Sequence, residues 1–124
     1  MDTALWITQV LLAAIFFATG LTKLTQPRLK LAAGPMSWAA DVTDDQFRAV
    51  GLLEIAGALG LILPGATGTA PLLTPLAAVG LALTMVGAIV THLREGEPER
   101  LAVPIILLAL CLFVAVERFA ALTL

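Results

Sequence analysis

The sequence predicts an all-α protein: a four-helix transmembrane bundle formed by a single membrane domain over residues 1–124. Three observations carry that prediction. The chain is 60% hydrophobic and only 13% charged, whereas soluble domains are nearer half apolar and a quarter charged. Its mean hydropathy is +1.00. Charge-free runs are long enough to cross a bilayer core, which needs about 20 helical residues at about 1.5 Å each. The same composition excludes a disordered tail and a disulfide scaffold, since there is one Cys and no low-complexity tract. A net charge of −2 leaves no basic face for nucleic acid.

The first span is placed at 4–24, built on the uncharged run from Thr3 to Thr22. A cleavable leader is not expected there, because Asp2 is the only early charge and a basic n-region is missing. The second span is placed at 44–64. Its start is marked by Thr43-Asp44-Asp45-Gln46, which has the form of a capping box with acidic residues on the positive helix end. From Ile55 to Leu93 there are 39 residues without Asp, Glu, Lys or Arg. That is enough for two crossings, and Pro64, Gly65, Gly68, Pro71 and Pro75 interrupt it, so a turn is expected over Pro64–Ala70. The third span is then 71–92 and the fourth 101–120. The first connection, Thr25–Thr43, mixes basic and apolar residues and is expected at headgroup depth. Trp38 reads as an interfacial anchor there, with a lid over a cavity as the functional alternative.

Basic residues set the expected orientation. Lys23, Arg28, Lys30, Arg48, Arg94 and Arg100 fall in or beside the first and third connections, against Arg118 alone at the opposite end. This places those connections in the cytoplasm and both termini outside. Packing seams are expected at Gly20, Gly51, Gly57, Gly60, Gly80 and Gly87, because helices in lipid associate where small residues let backbones approach. Gln9, Ala13, Phe16, Gly20 and Lys23 share one face of the first span, which is expected to point inward. Glu117 and Arg118 read as a local charge pair.

Glu54 is the most informative position. It lies about 15 Å along the second helix from its start, where a lipid-facing carboxylate costs about 2.5–3.5 kcal/mol on insertion scales. Glu54 must therefore face the bundle and be paired or protonated. Lys23, His92 and Arg94 come to similar depth at the same end, and these four are the candidates for ligand binding or proton handling. The near-neutral titration of a histidine suits the latter. The same four residues could equally form only an ionic network that fixes helix register, and the sequence leaves both readings open. A single His without Cys or carboxylate at ligand spacing gives no metal site. Cys111 alone cannot form and pass a disulfide within the chain. No catalytic residue is assigned.

The segment Arg48–Pro64, RAVGLLEIAGALGLILP, resembles the second-helix signature of DoxX-like membrane proteins, as does Leu73–Glu97, LTPLAAVGLALTMVGAIVTHLREGE; Gly20-x-x-Lys23 also fits. The resemblance implies a small, multi-pass protein of the bacterial inner membrane. The family takes its name from the membrane subunit of a thiosulfate:quinone oxidoreductase, and some members belong to redox and oxidative-stress systems. For this chain that implies an accessory subunit of a membrane redox system, with a quinone or lipid as ligand and a redox protein or a second copy as partner. Lys23, Glu54, His92 and Arg94 match family positions, without catalytic roles attached. The alternatives are a small proton-coupled transporter and a purely structural assembly subunit.

Overall fold

The computed structural model describes residues 2–123. Five α-helices follow in order: α1 (Asp2–Thr25), α2 (Arg28–Ala32), α3 (Asp44–Thr67), α4 (Leu73–Arg94) and α5 (Ala102–Thr123). The four long ones are each long and apolar enough to cross a membrane, and no strand occurs among the described residues. The helices alternate in direction. Both termini and the α3–α4 turn therefore lie at one end, and the basic connections lie at the other. α1 packs on α3, α3 on α4 and α4 on α5, the α1–α3 contact being the most extensive, and α5 closes the ring against α1.

The core is a column of apolar side chains on the inward faces, including Leu12, Phe16, Leu61, Leu81, Cys111 and Val114. Large aliphatics cover the outside, among them Leu11, Leu83, Val103 and Val116, each more than half exposed. A soluble protein rarely shows so continuous an apolar exterior; lipid is the solvent that fits it. The inward face of α1 is as its spacing predicts, with Gln9, Phe16, Gly20 and Lys23 buried.

At its start α3 carries the full capping box. Thr43 Oγ1 accepts from the Gln46 backbone N–H at 3.1 Å, and Gln46 Oε1 accepts from the Thr43 N–H at 3.0 Å. Its end departs from expectation, because the helix continues through Pro64 to Thr67. A proline inside a helix removes the donor for the carbonyl four residues back, here Gly60. Thr74 of α4 supplies the replacement, its hydroxyl donating to that carbonyl at 3.1 Å. Gly68, at φ 69°, then ends the helix in the left-handed region, where glycine carries no Cβ penalty. The turn therefore begins about four residues later than Pro64.

The glycine seams divide into two groups. A Cβ on Gly20 would stand 2.6 Å from the Gly51 carbonyl oxygen, and one on Gly51 2.9 Å from that of Gly20, so α1 and α3 cross backbone to backbone there. Gly57 and Gly60 receive Leu81 and Ala77 of α4 in the same way, at 2.6 and 2.7 Å. Gly80 and Gly87 do not pack: a Cβ at either would meet nothing within 4 Å. Both lie on the exposed side of α4, so the expected seam is absent within the chain.

Candidate functional site

The first connection is folded inward. After α2, a 3₁₀ turn at Ser37–Asp41 packs Ala39 with Leu31 and Phe47 in a small apolar cluster of its own. Trp38 lies against Phe47, ring centroids 5.5 Å apart, and its face stands 6.0 Å from Lys23 Nζ. The half-buried Trp38 side chain lines the cavity described next. Arg28 pins the segment by donating to the Ala39 carbonyl at 2.7 Å and to Asp44 Oδ1 at 2.7 Å.

Beneath Trp38 sits a buried ion pair. Lys23 Nζ lies 2.6 Å from Glu54 Oε1, with side chains only 7% and 4% exposed. Thr19 donates its hydroxyl to the other carboxylate oxygen, Oε2. The close crossing explains why the pair can form. Gly20 stands three residues before Lys23, and Gly51 three before Glu54. Because α1 and α3 run antiparallel, each charged residue sits over the other helix's glycine, a Cβ on Gly51 standing 2.9 Å from Lys23 Cβ and one on Gly20 3.2 Å from Glu54 Cβ. The long lysine side chain reaches across the crossing to the carboxylate. Burying charge is tolerable only with pairing and hydrogen bonding of this kind.

The pair and Thr19 form the polar wall of a cavity of about 380 Å³. Its other walls are mainly apolar, from Phe16 and Ile15 of α1, Val50 of α3 and Met85, Gly87 and Ala88 of α4, with Trp38 and Val42 contributed by the first connection. Thr84 and Thr91 also line it, their hydroxyls donating to carbonyls of their own helix. A volume of this size falls within the range of about 300–1,000 Å³ typical of small-molecule sites, as does a mainly apolar lining with a few convergent polar groups. Ile15 is 40% exposed and Gly87 is exposed, so the cavity borders the outer surface of the bundle.

Of the four residues singled out in the sequence, the structure brings Lys23 and Glu54 together and places the other two elsewhere. His92 Nδ1 lies 3.2 Å from Glu97 Oε1 rather than beside Glu54. Glu97 is a junction: it also accepts from Ser37 Oγ at 2.9 Å and pairs with Arg100 Nε at 3.3 Å. Arg100 in turn donates to the Pro35 carbonyl. This knot ties the α4–α5 connection to the 3₁₀ turn bearing Trp38. The hydrogen bond with His92, and then that from Ser37, hold the Glu97 carboxyl below its ordinary range. The neighbouring Glu95 carboxyl is raised instead, by its hydrogen bond with Asp41 and by that residue's charge. The Arg94 side chain is exposed and pairs with no other side chain among the described residues.

The family model for the DoxX-like family matches residues 7–114, from within α1 to about the middle of α5. With the four long apolar helices, that match makes this a multi-pass membrane protein. The chain belongs to the DoxX-like family. Comparison with curated proteins and with solved structures gives no match.

Spacing could have revealed one further part of this DoxX-like site. Thr19 lies four residues before Lys23 and three after Phe16, on the inward face. Other contacts had no local signal. At the opposite end of the bundle, Arg118 does not pair with Glu117. Its Nε donates to Gln9 Oε1 at 2.8 Å, one NH group donates to Asp2 Oδ1 at 2.9 Å, and its guanidinium stands 5.7 Å from the Trp6 ring. Gln9 passes the link on, donating to the Leu61 carbonyl at 2.6 Å. The two terminal helices are tied together there by residues more than a hundred positions apart in sequence, and Gln9 carries the link to α3.

Proposed function

We propose that this DoxX-like protein is an accessory membrane subunit of a redox system. In this reading it holds the head of a quinone in the cavity between α1, α3 and α4, at the cytoplasmic end of a bundle in the bacterial inner membrane. Both termini then lie on the outer side, the arrangement favoured by six of the seven basic residues lying at the opposite end.

The observation that carries the reading is the buried Lys23–Glu54 pair in the wall of a mainly apolar cavity. A quinone brings two carbonyl acceptors, an apolar ring, and the capacity to take up two electrons with two protons. The ammonium of Lys23 has three donors; Glu54 engages one side of it, which leaves hydrogen-bonding capacity for a ring carbonyl. Trp38 and Phe16 offer apolar surface for the ring itself. Entry from the bilayer is open beside Ile15 and Gly87, which line the cavity and reach the surface. A transporter that exchanges protons at one carboxylate fits less well, because Glu54 is committed to Lys23 and Thr19.

The test is a titration of the protein in lipid nanodiscs with a tail-less benzoquinone, followed by quenching of Trp38 fluorescence in a Trp6→Phe background. Saturable quenching is expected. It should weaken about tenfold or more in Lys23→Gln/Glu54→Gln, because one charge-assisted hydrogen bond of about 1.5–3 kcal/mol is lost. Non-saturable quenching, or equal affinity in the variant, would overturn the proposal and favour a purely structural pair.

A further inference from the structure

Gly80 and Gly87 make no close approach inside the chain, yet their placement is regular. With Thr84 they fall at i, i+4 and i+7 on α4, hence on one face of the helix. Gly87 lines the cavity described above. Gly80 lines a second depression of about 670 Å³ along the outer α3–α4 seam, and Thr84 lines both. The three residues therefore form a continuous low track from one space to the other, open above each glycine for at least 4 Å.

The groove is hydrocarbon throughout. Ala56, Gly57, Gly60 and Ala77 form a shallow floor, and Leu53 and Leu76 are among its walls. Its one hydroxyl, that of Thr84, is spent on the Leu81 carbonyl of its own helix at 2.7 Å. No side-chain donor or acceptor is left to recognise a polar ligand. From Thr84 to Leu73 the groove follows about 16 Å of helix axis at about 1.5 Å per residue.

We propose that this groove seats the single hydrocarbon or prenyl tail of the molecule whose head occupies the cavity, the tail leaving the bundle past Thr84. The proposal rests on the head-group reading of the cavity and adds the ligand class: a compact polar head carrying one long apolar chain. Glycine at positions 80 and 87 is then explained by the ligand, since no part of the chain fills the space above either.

The test uses a benzoquinone whose alkyl tail ends in a photoreactive diazirine, bound to the protein in phosphatidylcholine nanodiscs, with labelled peptides mapped by mass spectrometry. Label is expected on Leu53–Gly60 and Leu73–Leu83, falling at least fivefold when excess tail-less quinone is added. Gly80→Leu should also reduce that label at least fivefold while leaving Trp38 quenching by tail-less quinone unchanged. Ala56→Leu, which fills the same groove from α3, should do the same and guards against a folding defect in the first variant. Label spread over α1 and α5, or indifferent to both substitutions while tail-less quinone still competes, would overturn the groove assignment alone. Label that tail-less quinone fails to displace would overturn the head-group reading, and the coupling of tail to head with it.

Discussion

Removing Lys23 should be among the most costly single substitutions in this protein. In Lys23→Met the methylene stem is kept and the ammonium, 2.6 Å from Glu54, is lost. Glu54 is 3% exposed, so the carboxylate is largely withdrawn from solvent, and within the protein only the Thr19 hydroxyl remains on it. Breaking a buried pair in this way costs about 3–5 kcal/mol, a large share of the roughly 5–15 kcal/mol that holds a typical domain folded. Replacing both partners is a different perturbation, because no charge is then stranded. Lys23→Met/Glu54→Met should fall within about 1 kcal/mol of the wild type or above it, since apolar replacements of buried pairs are often neutral or stabilising. The double-mutant cycle should thus give a coupling of about 3 kcal/mol or more. Reversible unfolding by SDS in mixed micelles, read by far-ultraviolet circular dichroism, measures it. A single-variant loss below about 1 kcal/mol, or a double variant as unstable as the sum of its parts, would refute the reasoning.

Three further outcomes are expected. Gly20→Ala should destabilise by about 1–3 kcal/mol, because the added methyl meets the Gly51 carbonyl and no rotamer can relieve a backbone clash; Gly80→Ala, open above its Cα, should stay within about 0.5 kcal/mol in the same titration. Thr74→Val should cost about 0.6–1.5 kcal/mol by leaving the Gly60 carbonyl unpaired, and Pro64→Ala should recover most of that loss by returning the backbone donor. The connections at the basic end should respond to acid in opposite senses. Glu97, held below its ordinary 4.5, contributes stability that is present above that value and is lost as pH falls through the lowered one. Glu95, raised by Asp41, contributes stability present below 4.5 and lost as pH rises through the raised value. Trp38 fluorescence against pH should therefore lose its low-pH transition in Glu97→Gln and its higher transition in Glu95→Gln.

The sequence reads clearly where a physical requirement is local. Uncharged length located the helices, and Thr43-x-x-Gln46 marked the start of α3. The cost of a carboxylate in lipid turned Glu54 inward, and small residues at positions 20 and 51 foretold the crossing that lets Lys23 reach it. What stayed hidden depended on which element faces which. His92 ends α4 at the right depth for Glu54, but Glu97, five residues later in a connection, reaches it first. Arg118 finds Gln9 and Asp2 only because the termini meet at one end. Helical periodicity assigned Gly80 and Gly87 to a face without saying whether anything fills it. Pro64 looked like a stop signal because the hydroxyl that rescues its missing bond belongs to the next helix.

In the function proposed above, the Lys23–Glu54 pair and the cavity beside it hold the polar head of a lipophilic molecule. The most direct measurement is an experimental density map of the protein purified with its native lipids and solved in nanodiscs. Ordered density is expected beneath Trp38, within hydrogen-bonding distance of Lys23 Nζ, with an apolar extension passing Thr84 toward the α3–α4 groove. A cavity closed by side chains, or one holding only water while lipid density lies elsewhere on the bundle, would contradict it.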